Sequence, residues 1–128
     1  MSLFKNIFGS TNKERNSSTI NWRELTDLGQ LNDIVDASFE QPVLIFKHST
    51  RCGVSRSVLR QFENEFDATL KITPYFLDLL EHRDISNEIA SRFGVVHQSP
   101  QLIVIKEGNA IYNVSHDSID AHDLKTLG

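Results

Sequence analysis

The chain has 128 residues, which suits one domain with one core and leaves no room for two. A hydrophobic share of 39% and a charged share of 23% describe an ordinary soluble protein, and a net charge of −4 supplies no basic stripe for nucleic acid. No apolar run reaches the ~18 residues of a membrane span, and a single cysteine excludes an intramolecular disulfide framework.

The start, Met1-Ser2-Leu3-Phe4-Lys5-Asn6-Ile7-Phe8-Gly9, is mildly amphipathic but has no signal-peptide apolar region. It reads as a short tail rather than a membrane-surface segment, and a cytoplasmic location is expected. Residues 10–19 are polar and without apolar periodicity, so residues 1–19 are expected to form a flexible lead-in to a single domain over 20–128. The alternation of Ile20, Trp22 and Glu24 suggests a first strand. Thr26 or Asp27 then caps a helix whose apolar face is Leu28, Leu31, Ile34 and Val35. Gln41-Pro42 ends that segment and launches Val43-Leu44-Ile45-Phe46, a run suited to a strand buried on both faces.

After Ser49-Thr50-Arg51-Cys52 the helical signal is clear, with Val54, Val58, Leu59, Phe62 and Phe66 on one stripe. Residues 72–80 read as a strand with Pro74 near its start. Asp84 caps a helix bearing Ile85, Ile89, Ala90 and Phe93, which Gly94 stops. Gln101-Leu102-Ile103-Val104-Ile105-Lys106 is the next strand, and Glu107-Gly108-Asn109 turns it into a hairpin with residues 110–114. A closing helix is expected over residues 117–127, with Ile119, Leu124 and Leu127 on its apolar face. Trp22 reads as packing.

The order β-α-β-α-β-α-β-β-α implies parallel crossovers followed by an antiparallel hairpin, hence an α/β fold with a central mixed sheet. It is similar to the thioredoxin-like fold with an added N-terminal strand and helix.

Cys52 lies where a strand passes into a helix, so its thiol faces the unpaired N–H groups of a first turn and the positive end of the helix dipole. Both favour the thiolate, which is the nucleophile. Ser55 stands where a dithiol oxidoreductase would carry its second cysteine, giving a C-x-x-S motif. Arg51 adds a fixed positive charge beside the thiol. The Ser55 hydroxyl either donates to the thiolate or belongs to an ordinary first helical turn. Ser99-Pro100 precedes the fourth strand, where thioredoxin-like proteins carry a cis-proline facing the reactive cysteine. Lys47 and His48 end the strand that delivers Cys52 and are candidates for binding ligand carboxylates, or simply polar strand ends. His97 and His116 either face the site or are hydrogen-bonded loop histidines, the second reading being preferred for each. The five histidines join no second cysteine at zinc-ligand spacing, so no metal site is expected.

These motifs resemble those of the YtxJ family of bacillithiol-system proteins, the monothiol bacilliredoxins. The resemblance runs from about Asn21 to the C-terminus. It rests on Val43-Leu44-Ile45-Phe46-Lys47-His48-Ser49-Thr50-Arg51-Cys52, Leu77-Asp78-Leu79-Leu80, Ile85-Ser86-Asn87 and Phe93-Gly94-Val95-Val96-His97-Gln98-Ser99-Pro100-Gln101. It implies a thioredoxin-like domain that removes bacillithiol, a low-molecular-weight thiol, from mixed disulfides on cytoplasmic proteins. The family's active cysteine maps onto Cys52; Arg51 and Ser55 are read as supporting it, and Thr50, Gly53, Ser99 and Pro100 as binding the substrate. Bacillithiol is then a co-substrate, and no tightly bound cofactor is implied. Members often show Cys-Pro-Ile-Ser or Cys-Ser-Ile-Ser, whereas this chain has Cys52-Gly53-Val54-Ser55.

Two other readings stay open. Monothiol glutaredoxins carry Cys-Gly-Phe-Ser and hold an iron–sulfur cluster with glutathione, but here Val54 replaces the phenylalanine. Their Gly-Gly-x-Asp-type segment is also replaced, by Val114-Ser115-His116-Asp117. A single cysteine per chain would ligate such a cluster only in a dimer with added thiols. The other reading is a non-catalytic thioredoxin-fold binding module.

Overall fold

The computed structural model describes residues 20–127, and the expected lead-in over 1–19 lies outside them. The elements are β1 (Arg23–Glu24), α1 (Gln30–Ala37), β2 (Val43–His48), α2 (Gly53–Glu65), β3 (Thr73–Asp78), α3 (Arg83–Phe93), β4 (Gln101–Lys106) and β5 (Asn109–Ser115). Two short 3-10 turns, His116–Ser118 and Ala121–Thr126, close the described chain. The sheet order is β1-β3-β2-β4-β5, with β1, β3 and β2 parallel and β4 and β5 antiparallel to their neighbours. This is the expected mixed sheet, with β2 in the middle.

Every residue of β2 is buried because helices cover both faces of the sheet. Val43 and Ile45 point with Leu31, Ile34, Ile85 and Ile89 into the core beneath α1 and α3. Leu44 and Phe46 point the other way, against Phe62 of α2 and Leu124 of the last turn. Each fully buried side chain of this size contributes about 1.5–3 kcal/mol. Trp22 joins the second core, packing on Phe46, Phe62 and Phe76, while its Nε1–H donates to Glu63 Oε2 at 2.7 Å. Pro74 is accommodated because the Thr73 N–H bonds the Pro42 carbonyl, which turns the proline nitrogen toward the side where β1 has not yet begun.

Several local expectations are corrected. The first helix begins at Gln30, not at Leu28. Asp27 Oδ2 accepts from the Gly29 N–H, and Gln30 Oε1 accepts from the Thr26 and Asp27 N–H groups, so Leu28 sits in a capping turn and is exposed. Val54 lies outside the buried stripe of α2, 56% exposed. The third helix starts at Arg83, one residue before the expected cap Asp84. The expected C-terminal helix is two 3-10 turns, because Ile119 and Asp120 take extended backbone and the Asp120 side chain caps the His122 N–H. The first strand shortens to two residues, Arg23–Glu24, and the third to Thr73–Asp78.

The hairpin turn is tighter than expected. Glu107 (φ 52°) and Gly108 (φ 80°) both adopt left-handed backbone, as a two-residue turn between twisted strands requires.

Candidate functional site

β2 delivers the site. Beyond His48, the turn Ser49-Thr50-Arg51 is closed by the Cys52 N–H donating to the Ser49 carbonyl at 3.1 Å. Cys52 then becomes the N-cap of α2, with extended backbone (φ −104°, ψ 120°), and its carbonyl accepts from the Arg56 N–H at 3.1 Å. Its side chain makes no capping hydrogen bond and is half-buried. The residue thus opens the first turn of α2, where backbone N–H groups lack helical partners.

The expected supporting residues divide. Ser55 is fully buried, with Oγ accepting from the Ser49 N–H at 3.1 Å and lying 2.8 Å from His48 Nδ1. It fastens the turn to the strand end, a third role beside the two expected for it. Arg51 and Thr50 are exposed on the turn, and the Thr50 carbonyl accepts from Arg56 Nη1 at 3.0 Å. Gly53 is exposed at the first helical position, and a Cβ there would meet only Arg56, at 3.8 Å.

The loop between α3 and β4 runs beside the end of β2. The Ser99–Pro100 peptide is cis, and Pro100 is buried. Lys47 pairs with Gln101 in the antiparallel register, so Pro100 stands one step further along, across from His48. Gln101 braces the loop from beneath, donating to the Val96 carbonyl at 2.9 Å and accepting from the Gln98 N–H at 3.4 Å. On its other side the Pro100 carbonyl accepts from the His116 N–H at 3.0 Å. Ser99 Oγ is buried without a hydrogen-bond partner among the described residues.

Lys47 and His48 are not surface ligands. Lys47 is fully buried, with Nζ donating to the Ser86 carbonyl at 3.2 Å and lying 3.3 Å from His97 Nδ1. Burial pushes its ammonium down to about 8. His48 is 5% exposed, and burial holds its ring below the ordinary imidazole range, with Arg56 acting the same way and Asp78 against.

Sequence reasoning missed how these groups act together. Six polar residues are buried in the described chain, and five of them (Lys47, His48, Ser55, Ser86 and Gln101) gather around the end of β2. Buried polar groups must be paired, so this concentration marks a site whose shape is fixed by hydrogen bonds. The signal was present: Lys47, His48 and Gln101 interrupt or border strongly apolar runs. Arg56, the brace on Thr50, had no such signal on its exposed helix face.

Two other features lie elsewhere. Ser38, Phe39, Lys71 and Lys106 line a cleft at the opposite end of β2 that holds none of the expected site residues. Glu65, Asp120 and His122 bring ligand atoms within 4.8 Å of one another at the far end of α2, but Asp120 and His122 already bond each other at 3.0 Å.

A family model described as monothiol bacilliredoxin BrxC matches residues 23–124. A solved structure described as an oxidoreductase with a thioredoxin fold is 25% identical, with a TM-score of 0.72 over 91% of this chain and 97% of that one. Malassezia sympodialis thioredoxin is 20% identical, with a TM-score of 0.64 over 86% of this chain and 88% of its own. Fasciola hepatica thioredoxin is 15% identical, with a TM-score of 0.62 over 82% and 94%. These likenesses establish the thioredoxin fold.

Proposed function

The chain belongs to the monothiol bacilliredoxin family, and from that membership we propose that Cys52 removes bacillithiol from mixed disulfides on proteins. The family and the fold are those of thiol oxidoreductases. The observation that carries the finer reading is the placement of the lone, half-buried Cys52 as N-cap of α2, with a buried serine rather than a second thiol three residues on.

In the reaction, the Cys52 thiolate attacks the bacillithiol sulfur of a protein–S–S–bacillithiol disulfide. That S–S bond breaks as the new one forms, and the protein thiolate leaves and takes a proton from water. Cys52 becomes bacillithiolated, and a second small thiol or another redoxin attacks it to restore the reduced enzyme. Ser55 has no sulfur with which to resolve a trapped complex, so reduction of intramolecular protein disulfides is disfavoured. Thr50 and Gly53 border the thiol on one side, and Ser99 and Pro100 form the other wall. The backbone beside Pro100 offers an edge to an extended substrate. The partners of this reading are bacillithiolated cytoplasmic proteins and the small thiol itself.

Release of free peptide from a bacillithiolated peptide tests the reading. Wild-type protein with excess bacillithiol should turn it over catalytically, and Cys52→Ser should not. Equal rates for the two would refute it.

A further inference from the structure

Lys47 is a cation with no acidic partner among the described residues: its Nζ meets only the Ser86 carbonyl and His97 Nδ1. Ser86 Oγ lies 3.2 Å from the same His97 nitrogen. An ammonium has three hydrogens to give and no lone pair to receive one. His97 Nδ1 is therefore the acceptor, the ring is neutral, and its hydrogen sits on Nε2. The charges facing the ring agree: burial, Lys47 from β2 and Arg83 from α3 all hold His97 below the ordinary imidazole range.

The remainder of the His97 side chain is exposed. It stands three residues before Pro100, a span of at most about 10 Å of chain, and Pro100 lies across from the strand end that leads to Cys52. An N–H donor with its tautomer locked, backed by an uncompensated buried cation, thus stands at the end of β2 on its α3 face, on the loop that leads into Pro100. That combination suits an anion attached to whatever Cys52 accepts.

We propose that His97 Nε2–H, held by Lys47 and Ser86, binds a carboxylate of the small thiol that Cys52 takes from its substrate. The assignment rests on the thiol-exchange reading and gives that site a specificity residue and a ligand chemistry. Lys47 is a positioning residue, since it touches only His97 and the helix.

The test uses one peptide carrying either bacillithiol or its carboxylate methyl ester in disulfide linkage, so that only the carboxylates differ. Wild-type protein should favour the free acid in kcat/KM by about tenfold, the size of one charge-assisted hydrogen bond, with most of the difference in KM. His97→Ala and Lys47→Met should both bring the ratio close to one. His97→Gln, whose amide N–H extends to a similar place, should recover part of it. Nitrogen-15 spectra should show His97 as the Nε2–H tautomer in the wild type and as a mixture in Lys47→Met. His97→Ala alters an exposed position, so it decides the matter independently of what Lys47→Met does to the buried core. A ratio unchanged in His97→Ala, a wild type indifferent to the carboxylates, or an Nδ1–H tautomer would overturn this assignment alone. A wild type that exchanges with neither disulfide would overturn the thiol-exchange reading with it.

Discussion

The Ser55 hydroxyl lies 2.8 Å from His48 Nδ1 and accepts the Ser49 N–H at 3.1 Å, so the residue three places past the thiol is bound to the strand end. One hydrogen is shared between Oγ and Nδ1, and both groups are buried. The Ser49-Thr50-Arg51 turn is thereby fixed before any substrate arrives.

Ser55→Ala leaves the Ser49 N–H and His48 Nδ1 without their partner. A loss of about 1–3 kcal/mol is expected, as for a buried polar group left unsatisfied. Denaturant unfolding measures it; a loss below a few tenths would mean that the turn is held by other bonds.

Ser55→Cys should give dithiol behaviour. The N-cap and third helical positions lie on the same turn, and a thiol at residue 55 would attack the mixed disulfide formed at Cys52. Trapped complexes should become shorter-lived, and the protein should lose the mass of a hydrogen pair as the internal disulfide closes. An unchanged lifetime would show that the buried position cannot reach the sulfur.

Gly53→Pro should stabilise the fold by about 0.4–1 kcal/mol through a stiffer unfolded chain. Residue 53 is the first helical position, where a proline fits. Cys52 already has the extended backbone that a following proline demands. The melting temperature should rise by about 2–4 °C, with exchange at Cys52 retained. A fall would indicate that the Gly53 N–H is needed.

The sheet was legible in the sequence because β2 and β4 are continuous apolar runs, and the hairpin because Gly108 sits where left-handed backbone is required. The helix starts were harder to place: Asp27 and Gln30 build a capping turn from side-chain bonds that no periodicity records. The C-terminal segment kept its buried Ile119 and Leu124 yet lost its helix to the local bond of Asp120. For the site, Cys52 and Ser55 could be located from their place at a strand-to-helix junction, and Pro100 from the likeness to thioredoxin-like proteins. Ser55's partner could not, because the contact with His48 depends on how the turn folds back. Lys47 and His97 are fifty positions apart and meet only through the β2–β4 register.

Lys47→Met should raise stability at pH 7 by about 1–2 kcal/mol, since an unpaired buried cation gives way to an apolar chain of similar length. The advantage should shrink at alkaline pH. The folded protein releases the Lys47 proton at about 8, whereas a lysine in the unfolded chain keeps it to 10.5. Below pH 8 both states hold the proton and the folded state carries the full burial cost. Between 8 and 10.5 the unfolded chain binds more protons, so wild-type stability rises with pH relative to the variant. Parallel stability curves for the two proteins across that window would contradict the burial of a charged Lys47.

The most direct measurement is the intact mass of the protein after stoichiometric reaction with a bacillithiolated peptide, quenched by acid. The expected product is protein heavier by one bacillithiol, mapped to Cys52, together with free reduced peptide. Protein carrying the peptide instead would place the attack on the wrong sulfur, and unmodified protein would show that Cys52 is not the nucleophile. Either result would contradict bacillithiol transfer through a single thiol.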